Sequence, residues 1–277
     1  MPTLYLVATP IGNLEDVTLR ALRVLGEVAL IAAEDTRTTR KLLAHHGIRA
    51  RLTSYHEHNK AQKIPYILNA LEQGDVALVS EAGMPAVSDP GVDLVAAAVA
   101  AGVAVVAVPG PSAVVTALAV SGLPTRQFTY VGFLPRRSTE RRRLLSTLVG
   151  EPRTIVALES PHRLLASLAD LLAVLGDRRI AVCRELTKLH EEVFRGRISE
   201  ALAHFAEPRG EFTLVIEGAA GQEGAPPDEA AVRGELRRLR RQGLGARRAV
   251  DEVALRFGLP HRQAYRLWLQ AKDEPGQ

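Results

Sequence analysis

Two kinds of segment in this chain could do chemistry: turns rich in glycine and proline that directly follow apolar runs, and short clusters of ionisable side chains. Thr9-Pro10-Ile11-Gly12-Asn13 is a turn in which glycine removes the side chain and proline fixes the backbone, so main chain can closely approach a bound group. Taken alone, it is also an ordinary strand-to-helix connection. The run from Ser80 to Gly91 sets Glu81, Ser88 and Asp89 among Gly83, Pro85, Pro90 and Gly91, which is denser in turn formers and carboxylates than strand joining requires. A carboxylate beside such a loop can hold a cation, and Gly83 lets ligand and backbone meet. Ser88 or Asp89 also suits capping a helix that begins at Val92, the reading preferred for Asp89. Pro109-Gly110-Pro111-Ser112-Ala113 offers backbone amides and a hydroxyl, with a helix N-cap as the competing role for Ser112.

The ionisable clusters have competing readings of their own. Glu34-Asp35-Thr36-Arg37 and Ser54-Tyr55-His56-Glu57-His58-Asn59 could position a polyanion or remove a proton. His56 and His58 lack the helical H-E-x-x-H spacing of a zinc site, and a hydrophilic loop accounts for them, so no metal is expected. Glu159-Ser160-Pro161-His162-Arg163 and Arg184-Glu185-Leu186-Thr187-Lys188 stand at strand ends, where Arg and Glu also pair simply to hold loops. Arg136-Arg137-Ser138-Thr139-Glu140-Arg141-Arg142-Arg143 is either a phosphate-facing surface or a solvated helix face.

The elements that carry these segments follow from the apolar pattern. Strands are expected at Thr3 to Ala8, Val28 to Ala33, Val76 to Ser80 and Val103 to Val108, with a helix from Thr18. Strands alternating with helical segments imply a mostly parallel sheet flanked by helices, and ligands of open α/β sheets bind at the strands' C-terminal ends. Three of the turns therefore converge on one crevice. The pattern restarts after Ser121-Gly122-Leu123-Pro124-Thr125, with strands expected at Phe128 to Phe133, Thr154 to Leu158, Ile180 to Arg184 and Phe212 to Glu217. The organisation expected is an α/β domain over 1–122, a second over 126–218, a Gly/Ala/Pro-rich linker from Gly218 to Pro227, and a helical mini-domain over 228–272. In the last, helices are expected at Glu229 to Arg241, Ala246 to Phe257 and Pro260 to Gln270, with Gly258 as a C-terminal cap and Pro260 in a first turn.

Composition narrows the classes. With 277 residues, 47% of them hydrophobic, the chain can build cores for about two ordinary domains. Gly102, Pro109 and Pro111 interrupt the Ala/Val-rich stretch before it could span a bilayer, and no leader pattern opens the chain, so a cytoplasmic protein is expected. The single cysteine, Cys183, excludes an internal disulfide and a thiolate zinc site, and reads as a quiet, half-buried thiol. Charge is asymmetric: residues 1–227 carry 24 basic and 24 acidic side chains, whereas 228–272 carry 11 basic against 5 acidic. Only five of the 35 basic residues are lysine, and arginine is the side chain suited to forked phosphate contacts and to stacking on bases.

Taken in order, Thr9 to Leu14, Ala33 to Arg37, Ser80 to Gly91, Val108 to Ala113, Gly132 to Pro135, Glu159 to Arg163, Arg184 to Lys188 and Gly210 to Thr213 resemble the ribosomal RNA 2′-O-ribose methyltransferases of the tetrapyrrole methylase superfamily. Where that family carries Ser-Asp-Ala-Gly-Thr-Pro, this chain has Ser80-Glu81-Ala82-Gly83-Met84-Pro85. The resemblance implies two α/β domains with S-adenosylmethionine folded in the cleft between them, a homodimer, and a decoding-centre cytidine of 16S ribosomal RNA or the small ribosomal subunit as target. By motif position it assigns donor contacts to Pro10, Ile11, Glu81, Gly83, Met84, Ser112, Ala113 and Leu158 or Glu159. A ribose hydroxyl is a poor nucleophile until it loses its proton, and Glu159, His162, Glu185 and Asp35 are the candidate bases. Arg37, Arg136, Arg137, Arg141, Arg163, Lys188, Arg247 and Arg248 are the candidate RNA contacts. A methylase of tetrapyrrole precursors and a ligand-sensing nucleic-acid-binding regulator are the alternatives, and the basic C-terminal helices have no evident use in the first of these.

Overall fold

The computed structural model describes residues 2–219, 229–257, 259 and 261–271. The chain forms two compact units, Met1–Gly218 and Ala219–Gln277. Two five-stranded sheets make up the first unit. One is built from β1 (Thr3–Val7), β2 (Leu30–Ala33), β3 (Leu52–Ser54), β4 (Val76–Val79) and β5 (Ala104–Val108), in the order β3-β2-β4-β1-β5. Every pairing in it is parallel. β2 and β4 are buried at each position, as expected of apolar runs covered on both faces. Helices α1 (Leu19–Glu27) and α2 (Thr36–His45) close one face around Val24, Leu25 and Leu43. On the other face, α3 (Lys60–Gln73) and α4 (Val92–Ala100) pack Ile67, Leu71 and Leu94 against Leu4 and Leu78.

Helix α5 (Ala113–Ser121) begins at the end of β5 but packs on the other sheet, its Ala117 and Leu118 lying against Val156, Ala181, Cys183 and Val215. That sheet consists of β6 (Phe128–Phe133), β7 (Thr154–Glu159), β8 (Arg179–Arg184), β9 (Glu192–Arg197) and β10 (Phe212–Ile216), ordered β6-β7-β10-β8-β9. Its far face is closed by α6 (Ser138–Thr147), α7 (Leu164–Leu175) and α8 (Ile198–His204). The mostly parallel arrangement expected of the first four strands holds for the first sheet, and this one is built differently. Only β6 and β7 pair in parallel, and the remaining pairings are antiparallel. No helix separates β8 from β9, and a parallel pair would have needed a crossover. Nor is Cys183 half-buried: it is 1% exposed beneath α5.

In the second unit, α9 (Glu229–Arg241), α10 (Ala246–Phe257) and α11 (His261–Gln270) surround Leu236, Leu239, Val250, Val253, Leu267 and Trp268. Gly243, at φ +81°, closes α9 with the hydrogen bonds Gly243 N–H to Arg240 O and Leu244 N–H to Leu239 O. The expected roles of Gly258 and Pro260, and nearly all of the Gly218–Pro227 linker, lie outside the described residues.

Candidate active site

Strand order brings the chemistry-bearing turns together. β1 lies between β4 and β5, so the loops leaving the three C-terminal ends are neighbours. Thr9 and Gly83 exchange backbone hydrogen bonds of 2.9 and 3.0 Å, which ties the first loop to the second. Gly83 does so at φ +77°, a conformation that costs a side-chain-bearing residue roughly 1–2 kcal/mol. In the same loop Ala86 and Ser88 accept that left-handed strain, at φ +66° and +65°. The third loop ends in Ser112, whose Oγ accepts from the Val115 N–H as N-cap of α5.

The second sheet supplies the facing wall, and the contact between the two halves is close. A Cβ on Gly12 would come within 2.5 Å of Lys188 Cγ and 2.8 Å of the Leu186 carbonyl oxygen. Glycine there serves the approach of the loop after β8, rather than of a ligand. Asn13 N–H donates to Thr187 Oγ1 at 3.0 Å, and Thr187 and Glu185 hold φ of +68° and +51°. Across the opening, Ser88 Oγ and Tyr130 Oη are hydrogen-bonded at 2.7 Å.

Between these walls lies a pocket of about 470 Å³, within the range of small-molecule sites. Ile11, Gly83, Met84, Ser112, Ala113 and Leu158 line it, and so does Glu81. Pro10 does not line it, although it precedes Ile11. Carboxylates dominate its polar lining. Glu34, Glu81, Asp89, Glu159 and Glu211 contribute, and among the described residues no lysine, arginine or histidine does. Burial, with Glu34 next, pushes the Asp89 carboxyl up to about 7 against a weaker opposing hydrogen bond from Ser80. Glu81 is raised too, by burial first and then by Glu34, Asp35 and Glu211. A cation entering this pocket relieves the repulsion, and an anion adds to it.

Several residues singled out from the sequence have other work. Asp89 does not cap α4: the N-cap is Gly91, with no side-chain bond, and neither Ser88 nor Asp89 takes that role. Asp35 instead caps α2, accepting from the Arg37 N–H at 2.7 Å and pairing with the Arg37 guanidinium at 2.9 Å. Those Arg37 hydrogen bonds hold its carboxyl at about 2, so it is a poor proton acceptor, and it does not line the pocket. Glu159 lines the pocket but is fully engaged by Arg163 at 2.6 Å, by Ser160 N–H at 2.7 Å and by the Ser167 hydroxyl. Glu185 takes Lys188 Nζ at 3.0 Å and the Glu211 N–H at 2.9 Å and does not line the pocket, and neither does His162, which is exposed.

The candidate RNA contacts divide in the same way. Arg141 is 3% exposed, its Nε donating to Asp170 at 2.8 Å and its guanidinium bonded to the Pro135 carbonyl, so it is a structural residue and not a surface contact. Arg163 braces Glu159 and the Leu134 carbonyl, and Lys188 bridges Glu185 and Glu211. Arg136, Arg137, Arg247 and Arg248 are exposed, and Arg37 is exposed although paired. Reading along the chain missed Asp89, Tyr130, Glu34 and Glu211 as pocket residues. Asp89 carried a signal in the surplus of carboxylates in its loop, and Glu34 and Glu211 lay in segments already singled out, whereas Tyr130 carried none.

The model of the tetrapyrrole (corrin/porphyrin) methylases matches residues 3–202. A Halalkalibacterium halodurans protein named ribosomal RNA small subunit methyltransferase I is 47% identical over 97% of this chain and 95% of its own length. A Synechocystis protein of the same name is 48% identical over 99% of this chain and all of its own length. Among solved structures, uroporphyrin-III C-methyltransferase from Thermus thermophilus, complexed with S-adenyl homocysteine, superposes with a TM-score of 0.55 at 21% identity, over 78% of this chain and 97% of that one. Cobalt precorrin-4 methyltransferase gives 0.59 at 17%, over 77% and 94%. At these identities the structures establish a shared fold.

Proposed function

Because the chain belongs to the tetrapyrrole (corrin/porphyrin) methylase family, we propose that it methylates a cytidine ribose 2′-hydroxyl in the decoding centre of 16S ribosomal RNA, with S-adenosylmethionine as donor. Small-subunit ribosomal RNA is its substrate, as the name shared by relatives 47–48% identical over nearly the whole chain indicates. The observation that carries the reading is the pocket: about 470 Å³, largely apolar, polar chiefly through carboxylates, and without a basic side chain among its lining residues. That chemistry suits a sulfonium compound and opposes the polycarboxylate precursors of tetrapyrroles.

Ile11, Glu81, Gly83, Met84, Ser112, Ala113 and Leu158 are the residues that would hold the donor. When bound, the donor supplies a methyl group already activated on a positively charged sulfur. The protein's share is to align the acceptor hydroxyl, exclude water and take its proton. Asp89 fits the last task better than the four bases expected from the sequence. It lines the pocket, makes no ion pair among the described residues, and its affinity for a proton lies near neutrality. Arg136, Arg137, Arg37, Arg247 and Arg248 are proposed phosphate contacts.

A second copy of the chain completes the reading. Val92 and Val99 on α4 and Val115 on α5 are 64%, 61% and 60% exposed, and the edge strand β5 leaves Ala104 and Ala107 uncovered. Apolar edges of this kind are normally covered, and we assign this one to a homodimer. Among the described residues no helix is long and apolar enough to cross a membrane, and the proposed site of action is the cytoplasm, where small subunits are assembled.

The test is transfer of labelled methyl groups to small subunits from cells lacking the protein, followed by mass mapping of the modified nucleotide. One new 2′-O-methylcytidine in 16S ribosomal RNA is expected. Absence of label in the RNA, with a donor-binding sample, overturns the reading.

A further inference from the structure

We propose that the face of α11 formed by Arg262, Tyr265, Arg266 and Leu269 is a binding site for an unpaired RNA base and its flanking phosphates. Spacings of three and four residues place these four side chains in one stripe, and all four are exposed. With Gln263 they line a depression of about 630 Å³. The opposite face, Ala264, Leu267 and Trp268, is spent on the core of the unit.

Like the exposed Arg247 and Arg248, the arginines of this face are unpaired among the described residues, and here they stand beside an exposed aromatic ring, whereas other arginines of the unit are engaged. Arg233 pairs with Glu229 at 2.9 Å, Arg238 with Glu235 at 2.8 Å, and Arg256 with Glu235 as well. Arg240 stacks on the Trp268 ring, its guanidinium carbon 3.9 Å from the ring centre, and donates to the Trp268 carbonyl. These arginines are engaged within the unit. Arg262 and Arg266 have no carboxylate within ion-pair distance among the described residues, and they flank an aromatic ring that is 46% exposed. Tyr265 beside two cations that lack carboxylate partners matches a polyanion with a flat apolar ring.

The stripe, not the helix as a whole, indicates the form of RNA. The deep, narrow major groove of an RNA duplex does not admit side chains, so a helix cannot read paired RNA as it would DNA. An exposed aromatic beside arginines suits a base already out of its stack, with the guanidinium groups on phosphates. The choice of RNA over DNA rests on the function proposed above.

The experiment uses the full-length protein and a fluorescein-labelled, unstructured oligoribonucleotide of about 12 nucleotides, with calorimetry of S-adenosylmethionine binding as the control for folding. Tyr265→Ala should weaken RNA binding about 10-fold or more while Tyr265→Phe retains it. Arg262→Gln with Arg266→Gln should weaken it and make the dependence of log affinity on log salt shallower by about 1.4. Donor binding should be unchanged in all three. Wild-type RNA affinity in Tyr265→Ala and in the double variant overturns the proposal, as does tighter binding of a DNA duplex through the same residues. If instead RNA is held through this face but small subunits receive no methyl group, the proposed function falls and the binding site stands.

Discussion

Asp89 and Glu159 line one pocket from opposite sheets, each on a loop or strand end rich in polar residues, and the structure gives them opposite fates. Glu159, 2% exposed, has both oxygens occupied by Arg163, Ser160 and Ser167. Asp89 has no such partners: burial and the nearby Glu34 carboxylate favour its neutral form, and a Ser80 hydrogen bond only partly offsets them. One carboxylate is therefore a brace between β7 and α7, and the other is free to exchange a proton or to meet a cation. Position at a strand end does not distinguish a base from a brace. What distinguishes them is whether the neighbouring elements supply a cation.

The comparison breaks most sharply under substitution. Asp89→Asn should lower the single-turnover methyl-transfer rate by between about 10²- and 10⁴-fold, the usual contribution of a general base, with little change in melting temperature. A rate within about threefold of wild type would remove Asp89 from the chemistry. Glu159→Ala should do the reverse. It strands Arg163 and the buried Ser167 hydroxyl, and about 3 kcal/mol of stability should be lost in urea unfolding. If that variant is as stable as wild type, Glu159 is not a brace.

Smaller effects sharpen the contrast. Because the Asp89 carboxyl titrates at about 7, it is protonated and inactive as a base at low pH, and the rate should climb up to about tenfold per pH unit toward neutrality before levelling. The positive charge of a bound donor favours the ionised form, so the midpoint with donor present should fall below that value. A rate that is flat from about pH 5 to 8 contradicts the assignment, as does a profile unchanged in Asp89→Asn. The smallest effect expected is that of Tyr130→Phe. Losing the Ser88 hydrogen bond should cost at most about 1 kcal/mol, visible as faster amide exchange in the Ser80–Gly91 loop rather than as lost activity.

Strands and helices with strong apolar runs could be read from the chain almost residue by residue. Glu229–Arg241 and Ala246–Phe257 are the helices expected, and Phe128–Phe133 is the strand expected. β3 and β9 escaped notice, and both are edge strands. Leu52-Thr53-Ser54 is too short to show a period, and Glu192 to Arg197 alternates around charged residues because one side meets water. Strand direction in the second sheet was not legible either, since an apolar run has the same composition in either direction. The arginines teach the same lesson. Arg137 and Arg141 sit four residues apart in one basic run, yet Arg141 is drawn inside by Asp170, 29 residues farther along, while Arg137 stays in solvent.

Local chemistry alone determined a good deal: turns placed after apolar runs, glycines where a positive φ or a close approach is needed, and a basic tail on a neutral body. Those features depend on neighbours within a few residues, so the chain order carries them. Tertiary structure decided the rest. Only packing could bring loops from two sheets around one pocket, pair Glu159 with Arg163 while leaving Asp89 without a cation, and spend Arg240 on Trp268 while leaving Arg262 and Arg266 in water. Desolvation and charge pairing act over a few ångströms of space, and chain separation says little about that distance.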